Sequence, residues 1–150
     1  MLIAGGSGFI GHGLARALLA RGDRASIASR AGAGATVPDG ALACAYDQLP
    51  RDLDAVINLA GANIVGRRWS AAYKQELVSS RVDFTRDLIA RVRTLGARPR
   101  VWVNASAVGI YGDRGDERLH EDSALAPTTG DASFLPDLCR AWEADRKSVV

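Results

Sequence analysis

A chain of 150 residues with 47% hydrophobic and 24% charged side chains has a one-domain length and an ordinary globular balance, with enough apolar surface to bury a sizeable core. Nineteen basic against seventeen acidic side chains leave a formal net charge of +2, too small to point to nucleic acid. Two cysteines without zinc-type spacing, Cys44 and Cys139, argue against a disulfide framework or metal site and fit a reducing cytoplasm, and no apolar run approaches the ~20 residues of a membrane span.

Met1 to Ala4, with no leader-like segment ahead of it, reads as the first strand of a soluble protein. It leads into a glycine-rich turn, after which Ile10, Leu14, Ala17 and Leu18 recur at helical spacing until Arg21-Gly22 closes the helix. Ala25 to Ser29 is the second strand. Three glycines and a proline between Ala31 and Gly40 mark a surface loop, and Ala41 to Tyr46 forms a third strand. Asp54 to Leu59 is the fourth. A long helical pattern follows, capped by Ser70 and ended by Gly96, with Leu77, Val78, Val82, Leu88, Ile89, Val92 and Leu95 on one face and room for an internal break. Arg100 to Ala105 is the fifth strand. Gly, Asp and Pro between Val108 and Gly130 predict a long functional or mobile loop, and a last helix spans about Ser133 to Lys147 with Pro136 in its first turn.

Apolar runs alternating with helical patterns predict an α/β fold. The expected architecture is a Rossmann-type, doubly wound parallel sheet of about five strands, order 3-2-1-4-5, with helices on both faces.

The heptad Gly5-Gly6-Ser7-Gly8-Phe9-Ile10-Gly11 stands directly after an apolar strand and directly before an amphipathic helix. Glycines there permit a tight turn and let backbone N–H groups approach a pyrophosphate, whose charge the helix N-terminus favours. Cofactor choice rests on the end of the second strand, where an acid bonds a ribose 2′-OH and a basic residue accommodates a 2′-phosphate. Ser29-Arg30 occupies that place and no carboxylate competes, which predicts NADP(H). Asp47 is placed to bond the adenine amino group, and Leu59, Ala60 and Gly61 close the fourth strand with small residues against the cofactor. His12 and His120 read as incidental.

Beyond this heptad, Val-Ile-Asn-Leu-Ala-Gly-Ala-Asn-Ile at 56 to 64, Arg67-Arg68-Trp69 with Lys74, Ser80-Arg81-Val82 with Thr85, Ala105-Ser106-Ala107-Val108-Gly109-Ile110-Tyr111-Gly112, and Cys139 with Trp142-Glu143 run through the chain. Together they resemble an atypical, epimerase-like family of extended short-chain dehydrogenases/reductases that includes bacterial YfcH proteins, within the NAD-dependent epimerase/dehydratase superfamily. The resemblance implies carbonyl oxidation, reduction or epimerisation by a Ser, a Tyr and a Lys four residues after it. That pair is missing: Tyr46, Tyr73 and Tyr111 are followed at that distance by Pro50, Leu77 and Gly115. Cys139 and Glu143 stand where the Tyr and Lys are expected, and Arg81 stands roughly in place of a supporting Asn. Ser106 is the retained member, the candidate to hydrogen-bond a substrate oxygen, with Tyr111, Lys74 or Arg81 to supply a proton or stabilise an oxyanion.

The resemblance also implies a protein about twice this length, so the chain reads as an incomplete NADP(H)-binding domain without its substrate-binding part, inactive alone. An open edge on the fifth strand would favour self-association. Two functions remain open: an NADP(H)-dependent oxidoreductase or epimerase acting on an unidentified small molecule, or a non-catalytic dinucleotide-binding sensor or interaction module. Neither involves nucleic acid or a membrane.

Overall fold

Five short strands, β1 (Leu2–Ala4), β2 (Ser26–Ala28), β3 (Leu42–Cys44), β4 (Ala55–Asn58) and β5 (Val101–Asn104), pair in parallel in the order β3-β2-β1-β4-β5. The computed structural model describes residues 1–127 and 133–146; residues 128–130 of the predicted loop and Lys147 at the predicted helix end lie outside them. Register places Ala4 beside Ala28 and Asn58, Ala28 beside Cys44, and Asn58 beside Asn104, so the strand ends are level along the sheet's carboxyl edge. Ligands of open α/β sheets sit at that edge.

The central strands are apolar without alternation because helices cover both faces. Leu2, Ala4, Ala28 and Val56 pack with Leu49, Leu53, Leu88 and Val92 on one face. On the other, Ile3 and Ile27 pack with Ala15, Leu18 and Ala25. The helices are α1 (Phe9–Ala20), α2 (Ala71–Val78), α3 (Phe84–Thr94) and α4 (Phe134–Arg146). No helix among the described residues is long and apolar enough to cross a membrane.

The buried face of α1 differs from the predicted one. Gly11, Ala15 and Leu18 are buried, whereas Ile10 is 70% exposed and Ala17 is exposed. Small residues let this helix lie close to β1, which a search for large side chains at helical spacing overlooks. The third strand ends at Cys44 rather than Tyr46, because the backbone turns at once, Gln48 N–H donating to Ala45 O.

The long helical pattern is interrupted as its composition allows. Ser70 caps α2 by accepting from Tyr73 N–H at 3.2 Å, and Gly96, at φ 71, follows the last turn of α3. Between α2 and α3, Ser79–Asp83 form a π-helical turn. The Ser79 and Ser80 hydroxyls donate to the carbonyls of Glu76 and Leu77, and Arg81 Nη1 also donates to Leu77 O. These bonds occupy carbonyls that the widened turn would leave open. Within the predicted loop after β5, Val108–Tyr111 form a 3₁₀ turn that packs on α4, with Leu135 next to Gly109.

A buried polar network joins β4, β5, α3 and α4. Asn58 Nδ2 donates to Thr85 Oγ1 at 2.8 Å and to Asn104 Oδ1 at 2.7 Å, and the Trp142 indole N–H donates to Thr85 Oγ1 at 3.2 Å. Asn58 Oδ1 accepts from Ala60 N–H at 3.2 Å, which fixes the chain where it leaves β4. Asn58 and Thr85 are fully buried, so an unpaired donor here costs its full desolvation. Thr85→Val, which keeps shape and removes the acceptor, is expected to lower unfolding free energy by about 1–3 kcal/mol in urea titration; a loss below about 0.5 kcal/mol, the size of an inconsequential surface change, would contradict this role.

Candidate functional site

The turn from β1 into α1 is built from backbone packed on backbone. Gly5 has φ 76, and a Cβ there would stand 2.9 Å from Leu59 O and from Ala60 N. At Gly6 it would strike the Ile27 side chain at 2.8 Å, and at Gly11 it would stand 2.5 Å from Gly6 Cα and 2.6 Å from Gly5 O. Gly8 N–H donates to Gly5 O at 3.1 Å, which closes the turn. Gly8 is the N-cap of α1, makes no side-chain capping bond, and no acidic residue lies in the first turn. Ser7, Gly8, Phe9 and Ile10 are exposed, Phe9 by 97%. The first helical N–H groups therefore face outward from a cradle lined with main chain, and the positive end of the helix dipole is not offset by a side chain of the turn.

Next along the carboxyl edge, Ser29 is buried: its N–H donates to Cys44 O at 3.1 Å and its Oγ accepts from Ala31 N–H at 3.2 Å. This turn projects Arg30 to the exterior. Tyr46, after β3, is half-buried with its ring edge-on to Phe84 at 4.9 Å. Burial pushes its phenol up, while the Gly5 backbone N–H and the positive charge of Arg30 pull the other way. Exposed Asp47 lines, with Tyr46, Leu49, Asp87, Arg91 and Leu95, a groove of about 440 Å³ along α3.

On the opposite side of Gly5, Leu59 N–H donates to Ala4 O at 2.9 Å. A Cβ at Gly61 would lie 3.0 Å from Arg81 Cζ. Arg81 Nη2 donates to Ala62 O at 2.9 Å, and its guanidinium lies 5.3 Å from the Trp142 ring. Its pKa is lowered, chiefly by burial, with Cys139 and Tyr73 opposing. Cys139 is buried beside Ala107; burial first and then Glu143 push its thiol up, against Arg81. The Ser106 hydroxyl donates to Glu143 Oε1.

Of the catalytic candidates, Ser106 and Arg81 thus lie on one continuous path with Cys139 and Glu143. Lys74 and Tyr111 are placed otherwise: the Lys74 ammonium lies 5.1 Å from the Phe134 ring, and half-buried Tyr111 closes the 3₁₀ turn. Reading the chain alone missed three features: Tyr46 at the glycine turn, the Asn58–Thr85–Trp142 network, and Glu143 as partner of Ser106. For Tyr46 the only signal was adjacency to Asp47.

The chain matches the model of the NAD dependent epimerase/dehydratase family over residues 1–132. It is 36% identical over 151 residues to the epimerase family protein SDR39U1 of Bos taurus, covering 96% of this chain and 47% of that protein. It is 33% identical over 156 residues to the epimerase family protein YfhF of Bacillus subtilis, covering 98% and 49%. A crystal structure of human epimerase family protein SDR39U1 (isoform 2) with NADPH matches with a TM-score of 0.76 at 32% identity, covering 96% of this chain and 47% of that one. The chain spans about half the length of these relatives.

Two outcomes are expected from this geometry. Gly11→Ala should destabilise the chain by about 1–3 kcal/mol through overpacking, whereas Gly13→Ala, where a Cβ meets nothing within 4 Å, should stabilise it by about 0.5–1 kcal/mol. Thermal melts of the pair check this, and equal effects would contradict it. Because the folded pKa of both Cys44 and Cys139 is raised, the fold favours the neutral thiols. The stability they contribute is complete below the unfolded thiol pKa of about 8.5 and is lost as pH rises through the folded values. Urea titrations from pH 7 to 10 should show a decline that is shallower in the Cys44→Ala/Cys139→Ala double variant.

Proposed function

Because the chain belongs to the NAD dependent epimerase/dehydratase family, we propose that it is the NADP(H)-binding part of an atypical short-chain dehydrogenase/reductase, an oxidoreductase or epimerase-like protein of the kind represented by YfcH. The substrate-binding part belongs to sequence beyond the region these residues supply. The observation that carries the reading is the side-chain-free cradle at Gly5, Gly6 and Gly11, in front of the uncapped first turn of α1. A diphosphate fits such a cradle because the donors are main-chain N–H groups, presented by a turn that packs Gly5 on Leu59 and Ala60, Gly6 on Ile27, and Gly11 on Gly5 and Gly6. The NADPH bound by human SDR39U1, a relative of the same fold, supports the choice of ligand.

In this reading main-chain N–H groups between Gly6 and Gly11, apart from that of Gly8, which bonds Gly5 O, hold the pyrophosphate, Ser29 fixes the turn that presents Arg30, and Arg30 pairs with a ribose 2′-phosphate. Asp47 accepts from the adenine amino group, and Leu59, Ala60 and Gly61 lie against the cofactor. When bound, the nicotinamide supplies hydride transfer. Ser106 orients a substrate hydroxyl by accepting its hydrogen, since Glu143, which accepts the Ser106 hydroxyl hydrogen, directs the lone pairs of Oγ toward it. Arg81, held by Ala62 O, contributes positive charge beside Cys139. Lys74 and Tyr111 complete the proposed set from α2 and the 3₁₀ turn. The open edge of β5, with Val101 and Val103 exposed, is the proposed route of self-association.

A second reading, a non-catalytic dinucleotide sensor, is favoured by one observation: the Ser106 hydroxyl is already engaged by a carboxylate rather than standing next to a tyrosine with its lysine. Ser106-dependent hydride transfer by a protein containing this domain would exclude it.

Calorimetric titration tests the main reading. NADPH is expected to bind about tenfold or more tightly than NADH, the effect of one charge-assisted phosphate contact, and Arg30→Asp is expected to abolish the difference. Equal affinities in the wild-type chain would overturn the NADP(H) assignment, and no binding of either would overturn the site.

A further inference from the structure

Ala28 at the end of β2 and Cys44 at the end of β3 are register partners, and Arg30 and Tyr46 each lie two positions beyond, in the turns that follow those strands. The loops that carry them are fastened together. Ser29 N–H donates to Cys44 O at 3.1 Å, Gly32 N–H donates to Ser29 O at 3.1 Å, and Gly32, at φ 56, comes so close that a Cβ there would lie 3.3 Å from Ala45 Cβ. A side chain at Gly32 would be strained at that φ and would need Ala45 to give by a few tenths of an ångström.

Tyr46 is in turn held from below. Its ring meets Phe84 edge-on at 4.9 Å and packs on the core of the α3 face, so the hydroxyl is the part left to reach the carboxyl edge. The Gly5 N–H, whose own bond to Ala28 O is long at 3.4 Å, and the positive charge of Arg30 on the adjoining loop both lower the pKa of that hydroxyl against the effect of burial. A phenol O–H on a ring packed against Phe84, beside a fastened loop that carries a guanidinium, suits a phosphate monoester rather than a free hydroxyl pair.

Resting on the NADP(H) reading above, we infer that Tyr46 is a specificity-determining residue of the dinucleotide site, its hydroxyl donating to the ribose 2′-phosphate that Arg30 also binds. Discrimination then comes from the turns after β2 and β3 together, through Arg30 and Tyr46. The phenol remains protonated at neutral pH, since burial raises its pKa, and so keeps the hydrogen it donates.

The test is calorimetric titration of the wild-type chain and Tyr46→Phe with 2′,5′-ADP, ADP, NADPH and NADH. Phe keeps the ring on Phe84, and equal melting temperatures verify the fold. In the variant, affinity for 2′,5′-ADP and NADPH is expected to fall about tenfold, with ADP and NADH unchanged. If all four weaken equally, the hydroxyl only supports the Gly5 turn, and the inference fails while dinucleotide binding stands. An unchanged preference for the 2′-phosphate ligands in Tyr46→Phe overturns the inference alone. Absence of binding, or of any preference, in the wild-type chain overturns the NADP(H) reading and the inference with it.

Discussion

The approach of main chain to main chain at the end of β1 is the constraint on which this structure depends. Gly5 lies against Leu59 and Ala60, and Gly11 lies against Gly5 and Gly6, at distances no Cβ tolerates. Those contacts set the angle at which α1 leaves the sheet and bring β1 and β4 to the same level. Because the turn is made without side chains, its N–H groups have no side-chain oxygen to satisfy them, and in the proposed function a bound anion offsets both their hydrogen-bonding capacity and the helix dipole. The same glycines thus set both the packing of α1 and the backbone turn on which the proposed binding depends.

From that turn the site extends both ways along the carboxyl edge by fixed contacts. Toward β3, Ser29 and Gly32 fasten the Arg30 loop to the strand that ends before Tyr46. Toward β5, Asn58 holds Ala60 N–H and, through Thr85, the indole of Trp142 on α4. The same helix carries Cys139 and Glu143, so the network that orders the end of β4 also sets where Glu143 meets Ser106. Fully satisfied buried polar groups of this kind specify one arrangement of elements, since any other leaves a donor unpaired. The carboxylate beside Ser106 and the neutral, buried thiol one helical turn earlier make this edge chemically unlike a tyrosine–lysine relay, in which a cation lowers the pKa of a phenol.

Strand order, the glycine cradle and the caps at Ser70 and Gly96 were legible in the sequence because each rests on local rules: apolar runs, positive φ at glycine, and side-chain capping. Two kinds of feature were not. Burial carried by small residues was misread, as where Gly11 and Ala15 rather than Ile10 and Ala17 face the sheet. Contacts between distant residues had no sequence signal, Ser106 with Glu143 being 37 positions apart and Thr85 with Trp142 57. The break between α2 and α3 was allowed for, but its π-helical form, with Ser80 receiving Ala62 N–H from the loop after β4, belongs to the second kind. Tyr46 illustrates both limits: it was counted as the end of a strand, and its meaning comes from Gly5, Arg30 and Phe84, which the fold brings to it.

The central claim concerns particular N–H groups, so the most direct measurement is a ¹H–¹⁵N correlation spectrum of the assigned chain titrated with NADPH. The account predicts the largest shifts at the amides of Gly6, Ser7, Gly8, Phe9, Ile10 and Gly11, with smaller ones around Arg30 and Ala60. Saturable binding that leaves those six amides unmoved while shifting another surface would contradict it.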